Sequence, residues 1–111
     1  MTFQIKRLVK TAQIPKRATN EAAGYDLQAC LVDENGAPRK DYVQNGAIVL
    51  APGQRALIPT GLSMTTSQGT YGRIGPRSGL AYKSGLDIMA GIIDRVRQTI
   101  STMFCFQTRT I

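Results

Sequence analysis

The 111-residue chain has no histidine and only two cysteines, Cys30 and Cys105, which stand far apart without metal-ligand spacing. These absences come close to excluding a zinc site and any histidine-based triad, and they suit a reducing compartment. No apolar run approaches the roughly 20 residues needed to span a bilayer, so no membrane partner is expected. The N-terminal stretch MTFQIKRLVK alternates apolar with polar or basic residues and has no continuous apolar core. It does not read as a secretory signal, and a cytoplasmic or nuclear location is expected rather than secretion. Acidic residues are scarce, 7 against 14 basic ones, for a formal charge of +7. Residues 95–111 hold Arg95, Arg97 and Arg109 and no acid, so they supply +3 and the first 94 residues +4. That balance favours an anionic partner. Aromatics are only 6 % and the bases form no long run, so a stacking platform for nucleic acid is not visible and direct nucleic-acid binding is not expected.

What is present describes a single domain with one modest core. Apolar residues make up 42 % and charged ones 19 %, a globular composition. Strand signals dominate. FQIKRLVK alternates with period two, and AIVLAPGQRALIPTGLSMTT holds two short apolar runs joined by Ala51-Pro52-Gly53-Gln54. Pro52 followed by Gly53 predicts a type II turn with positive φ at the glycine. DENGAPRKDYVQNG reads as a loop or wide hairpin. No stretch carries a clear helical stripe, although Thr65 to Gly69 has the composition of a single turn. Many short strands punctuated by Gly and Pro imply an all-β sandwich or barrel.

The stretch YGRIGPRSGLAYKSGLDIMAGIID, Tyr71 to Asp94, gathers Gly72, Gly75, Gly79, Gly85 and Gly91 around Arg73, Arg77 and Lys83. Each glycine raises the entropy lost on folding, so this density suggests backbone brought close to something. In GPRSGLA a serine hydroxyl, a following backbone N–H and the Arg77 fork lie within three residues. Read alone, this is either an anion-binding loop or an ordinary turn. It lacks the Walker spacing. In GLDIMAGIID, Gly85 and Gly91 flank a short apolar segment with the makings of a hairpin, and Asp94 follows two isoleucines as a positioned or a capping carboxylate. In NEAAGYDLQA, Asp26 stands in an otherwise apolar strand pattern. A carboxylate buried there would need a cation or an arginine as partner.

AAGYD, GRIGPRSGLA and AGIID resemble, in order, wording and spacing, motifs one, two and three of the trimeric dUTP diphosphatases (dUTPases). PTGL from Pro59 to Leu62 and LAPGQ from Leu50 to Gln54 resemble family connections. The resemblance covers roughly residues 3 to 94. It implies a single-domain distorted barrel, a jelly-roll-like β-clip, that splits dUTP into dUMP and pyrophosphate. On that model Asp94 orients and deprotonates the attacking water and lies close to the deoxyribose. Asp26 helps to hold Mg2+ through metal-bound water. Arg77, Ser78 and Gly79 grip the phosphates and stabilise the leaving pyrophosphate. The backbone of Ala90, Gly91, Ile92 and Ile93 presses against the uracil edge and leaves cytosine unpaired, while a tight hairpin excludes the thymine methyl.

Past Asp94 the wording departs from the family. RVRQTISTMFCFQTRTI replaces a segment with a tyrosine that packs under the sugar, and the position three beyond Asp94 is Arg97. Motifs four and five are missing, so the expected organisation is a dUTPase-like domain over residues 1–94 and a non-matching tail over 95–111, a C-terminally truncated or altered barrel. Ile100, Met103, Phe104 and Phe106 make the tail β-prone, either filling part of a missing strand's place or forming a sticky edge. A homotrimer is expected if the tail permits. The alternative function is a catalytically impaired, nucleotide-binding or regulatory relative. A dCTP deaminase, whose phosphate motif reads more like Arg-Ser-Ser, is a more distant option.

Overall fold

A computed structural model of the chain describes residues 3–38, 43–95 and 102–107. Its elements are β1 (Phe3–Arg7), β2 (Val43–Gln44), β3 (Ala47–Ile48), β4 (Arg55–Pro59), β5 (Leu62–Thr66), β6 (Gly72–Arg73), α1 (Ser78–Ser84), β7 (Leu86–Met89), β8 (Ile92–Ile93) and β9 (Thr102–Gln107). Among the described residues the strands form four small antiparallel sheets: β1 with β5, β2 with β3, β6 with β8, and a three-stranded sheet ordered β4-β9-β7. The expected all-β architecture is present, with one short helix added. No helix among the described residues is long and apolar enough to cross a membrane.

The turns follow their glycines. Gly53 has φ +78 and Gln54 N–H donates to the Ala51 carbonyl at 2.9 Å, the turn that Pro52-Gly53 predicts. Asn45 and Gly46, both at positive φ, join β2 to β3 with Val43 opposite Ile48 and Gln44 opposite Ala47. This is the two-residue hairpin that Asn-Gly favours. Upstream, Asp33 Oδ1 accepts the N–H groups of Asn35 and Ala37 and closes a tight loop; Arg39 to Tyr42 lie outside the described residues. At Thr65 to Gly69 there is no helical turn. The strand runs on through Thr66, and the chain reverses afterwards, with Thr70 N–H on the Ser67 carbonyl.

The core is built around PTGL. Val9, Ala12, Cys30 and Leu62 form its buried cluster, with Ile5, Leu27, Val32, Met64 and Ile93 packed against it. Gly61 lies where β4 hands over to β5. Leu8 N–H donates to the Gly61 carbonyl, and Cys30 N–H donates to the Pro59 carbonyl, each at 2.8 Å. A Cβ on Gly61, whose φ is +72, would stand 2.9 Å from the Ala12 Cβ and 3.2 Å from the Cys30 Sγ. The glycine thus serves both conformation and packing. Thr60 is fully buried beside it, its Oγ1 accepting the Leu62 N–H.

Two expectations change. The helix α1 was not anticipated: it is seven residues long and buries no residue, so it leaves no apolar stripe to read. It ends where Gly85, at φ 67, turns its N–H back to the carbonyls of Ala81 and Leu80. GLDIMAGIID is not a two-stranded ladder either. β7 pairs with β9 while β8 pairs with β6, so the chain changes sheets at Ala90-Gly91. The β9 segment of the tail sits between two strands rather than at an edge. It pairs with β4 from Arg55–Phe106 to Pro59–Thr102 and with β7 from Leu86–Gln107 to Met89–Phe104. Arg97, Ile100 and Arg109 lie outside the described residues.

Candidate functional site

Two of the three motifs meet in one cleft of about 540 Å3. Its walls come from Ala22 to Leu27, from Arg73 to Arg77, from Leu80 of α1 and from Leu86, Asp87 and Ile88 of β7. Asp26 and Arg77 therefore face a common space although fifty residues separate them in the chain. Asp26 is held by its backbone, its N–H donating to the Lys16 carbonyl at 2.8 Å in an isolated bridge. Its side chain is exposed. The premise of a carboxylate buried in an apolar strand does not apply, because the strand pattern around Asp26 shrinks to a single bridged residue on the cleft wall.

Arg77 precedes α1 with extended backbone, φ −73 and ψ 131, and its carbonyl accepts the Ala81 N–H at 2.9 Å. Pro76 before it restrains the approach of the chain. Ser78 and Gly79 open the helix and are exposed. A Cβ on Gly79 would meet nothing within 4 Å, so packing among the described residues does not account for that glycine.

The third motif is positioned by β6. Gly72 pairs with Ile93 and Arg73 with Ile92, and Ile74 N–H donates to the Gly91 carbonyl at 2.8 Å. Ala90, just before, holds positive φ at 54°. Residues Ile92 and Ile93 alternate, as strand geometry requires. Ile93 packs on the core, while Ile92 is 58 % exposed. Asp94, exposed, follows directly after the anchored Ile93. The cleft that holds Asp26 and Arg77 is not lined by Ala90, Gly91, Ile92, Ile93 or Asp94. Residues of motifs one and two thus line one cleft within a single chain, and motif three is tied to the cleft-lining β6 segment without lining the cleft itself.

Arg73 and Asp87 are assigned no site role by the sequence reading, yet both line the cleft. Their signal was position: Arg73 stands four residues before Arg77, and Asp87 lies on the strand that leads to Ala90. Asp87 is oriented locally, its Oδ1 accepting the Ile88 N–H at 2.8 Å. Among the described residues no three His, Cys, Asp or Glu side chains gather as a metal cage. Asp26 and Asp87 are the two acidic residues that line the cleft. A second, smaller cleft of about 210 Å3 abuts the first and shares Gly24, Tyr25, Leu27, Arg73 and Ile74 with it.

A family model described as dUTPase matches residues 10–111. The chain is 42 % identical over 92 residues to a deoxyuridine 5'-triphosphate nucleotidohydrolase of Solanum lycopersicum, covering 83 % of this chain and 46 % of that protein. It is 42 % identical over 90 residues to the namesake of Paramecium bursaria Chlorella virus 1, covering 81 % of this chain and 53 % of that one. Among solved structures, a Staphylococcus bacteriophage 80alpha dUTPase variant with dUpNHpp superposes with a TM-score of 0.75 at 26 % identity, over 98 % of this chain and 56 % of that one. The chain spans about half the length of the curated relatives it matches.

Proposed function

The chain belongs to the dUTPase family, and on that premise we propose that it hydrolyses dUTP to dUMP and pyrophosphate. The observation that carries the reading is the shared cleft: Asp26 and Arg77, supplied by motifs one and two, line one space large enough for a triphosphate. Arg77 and Ser78 bind phosphate oxygens there, and the open side of Gly79 lets a phosphate approach the backbone closely. Asp26 would hold Mg2+ through water, and the ion would supply neutralisation of phosphate charge when bound. Asp94 positions the attacking water and takes its proton as the water oxygen bonds to the α-phosphorus. The bond from that phosphorus to the bridging oxygen breaks, and the pair leaves with pyrophosphate. The Ala90-Gly91-Ile92-Ile93 backbone recognises the uracil edge.

Because Asp94 lies outside the cleft of its own chain, the complete site draws Asp94 from a neighbouring copy, as a homotrimer allows. Exposed apolar side chains support such packing: Ile92 is 58 % exposed, Leu57 48 % and Met89 40 %. In the ladder Leu57 and Met89 both pair with Phe104 of β9, so the two lie on one row of the same sheet face.

The test is pyrophosphate release from dUTP with Mg2+, beside dTTP, dCTP and UTP. Release from dUTP alone is expected, and Asp94→Asn lowers turnover by at least roughly a hundredfold, the low end for a lost general base. Near-normal turnover in Asp94→Asn removes that residue from the mechanism. Analogue binding without turnover in the native chain leaves a nucleotide-binding protein rather than an enzyme.

A further inference from the structure

The charge of the cleft points to a phosphate-binding residue beyond the Arg77-Ser78-Gly79 run. The cleft holds two carboxylates, Asp26 and Asp87. Arg77 alone would leave it with a net negative charge, a poor receptor for a triphosphate that carries about four negative charges, since like charges repel strongly where water is partly excluded. Arg73 lines the same cleft and brings the formal balance of the walls to zero before any metal binds. We propose that Arg73 is a second phosphate-binding cation of this site, acting beside Arg77; the inference rests on the nucleotide-hydrolase reading above.

Its placement suits that role. Arg73 lies on β6, opposite Ile92 in the ladder, and the next residue's N–H is tied to Gly91 at 2.8 Å. The guanidinium is thus carried by hydrogen-bonded backbone, whereas Arg77 stands in the extended lead-in to a short helix. The ordinary use of an exposed strand arginine is an ion pair with a neighbouring acid, but among the described residues Arg73 has none. Its five donors in a planar fork match phosphate oxygens bidentately, which a lysine does not reproduce. Because β6 also carries the motif-three segment, the arginine that grips phosphate sits one residue from the backbone that holds Gly91 in place.

The experiment measures equilibrium binding of dUpNHpp, inorganic tripolyphosphate and deoxyuridine to the full chain with Mg2+, for the native protein and for Arg73→Gln, Arg73→Lys and Arg77→Gln. For Arg73→Gln an approximately tenfold weaker affinity for dUpNHpp and for tripolyphosphate is expected, the scale of one charge-assisted contact. Its deoxyuridine affinity stays unchanged, Arg73→Lys recovers part of the loss, and added salt weakens binding less steeply than in the native chain. Native-like tripolyphosphate binding by Arg73→Gln, while Arg77→Gln loses it, overturns the inference and leaves the function intact. An equal loss for deoxyuridine also overturns it, since Arg73 then acts only by supporting the β6–β8 ladder. A native chain that binds tripolyphosphate but not dUpNHpp refutes the dUTP reading while still testing Arg73, and binding of neither refutes both.

Discussion

Gly91→Ala tests whether β6 sets the position of the Ala90–Asp94 segment. A Cβ on Gly91 would stand 2.2 Å from the Ile74 carbonyl oxygen, 3.3 Å from its carbon and 3.5 Å from its nitrogen. All three are backbone atoms and cannot swing aside as a side-chain tip can. Restoring an ordinary contact moves the two segments apart by about 1 Å, which strains or breaks the 2.8 Å bond from Ile74 N–H to the Gly91 carbonyl. Overpacking of this kind costs about 1–3 kcal/mol, and the hydrogen bond adds about 1 kcal/mol. The sum of about 2–4 kcal/mol lowers Tm by roughly 10–20 °C in a domain of this size. A 1 Å shift of Asp94 also lowers turnover by up to roughly a hundredfold. The assay pairs thermal unfolding with amide exchange at Ile74 and dUTP turnover. Gly75→Ala is the control, because a Cβ there meets nothing within 4 Å and its φ is not in the left-handed region. A Gly91→Ala chain that melts with the control and keeps native Ile74 protection refutes the reasoning.

Gly61→Ala combines a left-handed φ of +72 with a 2.9 Å approach to Ala12. It is expected to destabilise the chain by about 2–4 kcal/mol, read as a lower denaturant midpoint with an unchanged slope; a native midpoint shows that the core relaxes around the methyl. Removing residues from Arg95 onward takes out the strand that pairs with both β4 and β7. The shortened chain is expected to lose its cooperative unfolding transition, and a retained one shows that the remaining sheets fold without β9. Mixing Arg77→Gln chains with Asp94→Asn chains restores turnover to a fraction of the native value, because mixed assemblies contain some sites with both residues intact; zero recovery after co-refolding places both residues of a working site on one chain.

Local chemistry was legible in the sequence wherever one residue or a short run decides the outcome. Pro52-Gly53 determined its turn because only glycine holds φ +78 without cost, and period-two alternation marked β1. The wording of AAGYD, GRIGPRSGLA and AGIID carries the family resemblance. The helix α1 stayed hidden because two exposed turns leave no apolar period, and Asp26 looked buried because a single bridged residue has the same local pattern as a strand. Only the tertiary structure decided which segments meet. It placed Arg73 and Asp87 beside Asp26 and Arg77, sent β7 and β8 to different sheets, and seated β9 between β4 and β7. Pairing between distant segments depends on which edges and faces remain free once the rest of the chain has folded, and no short window of sequence contains that information.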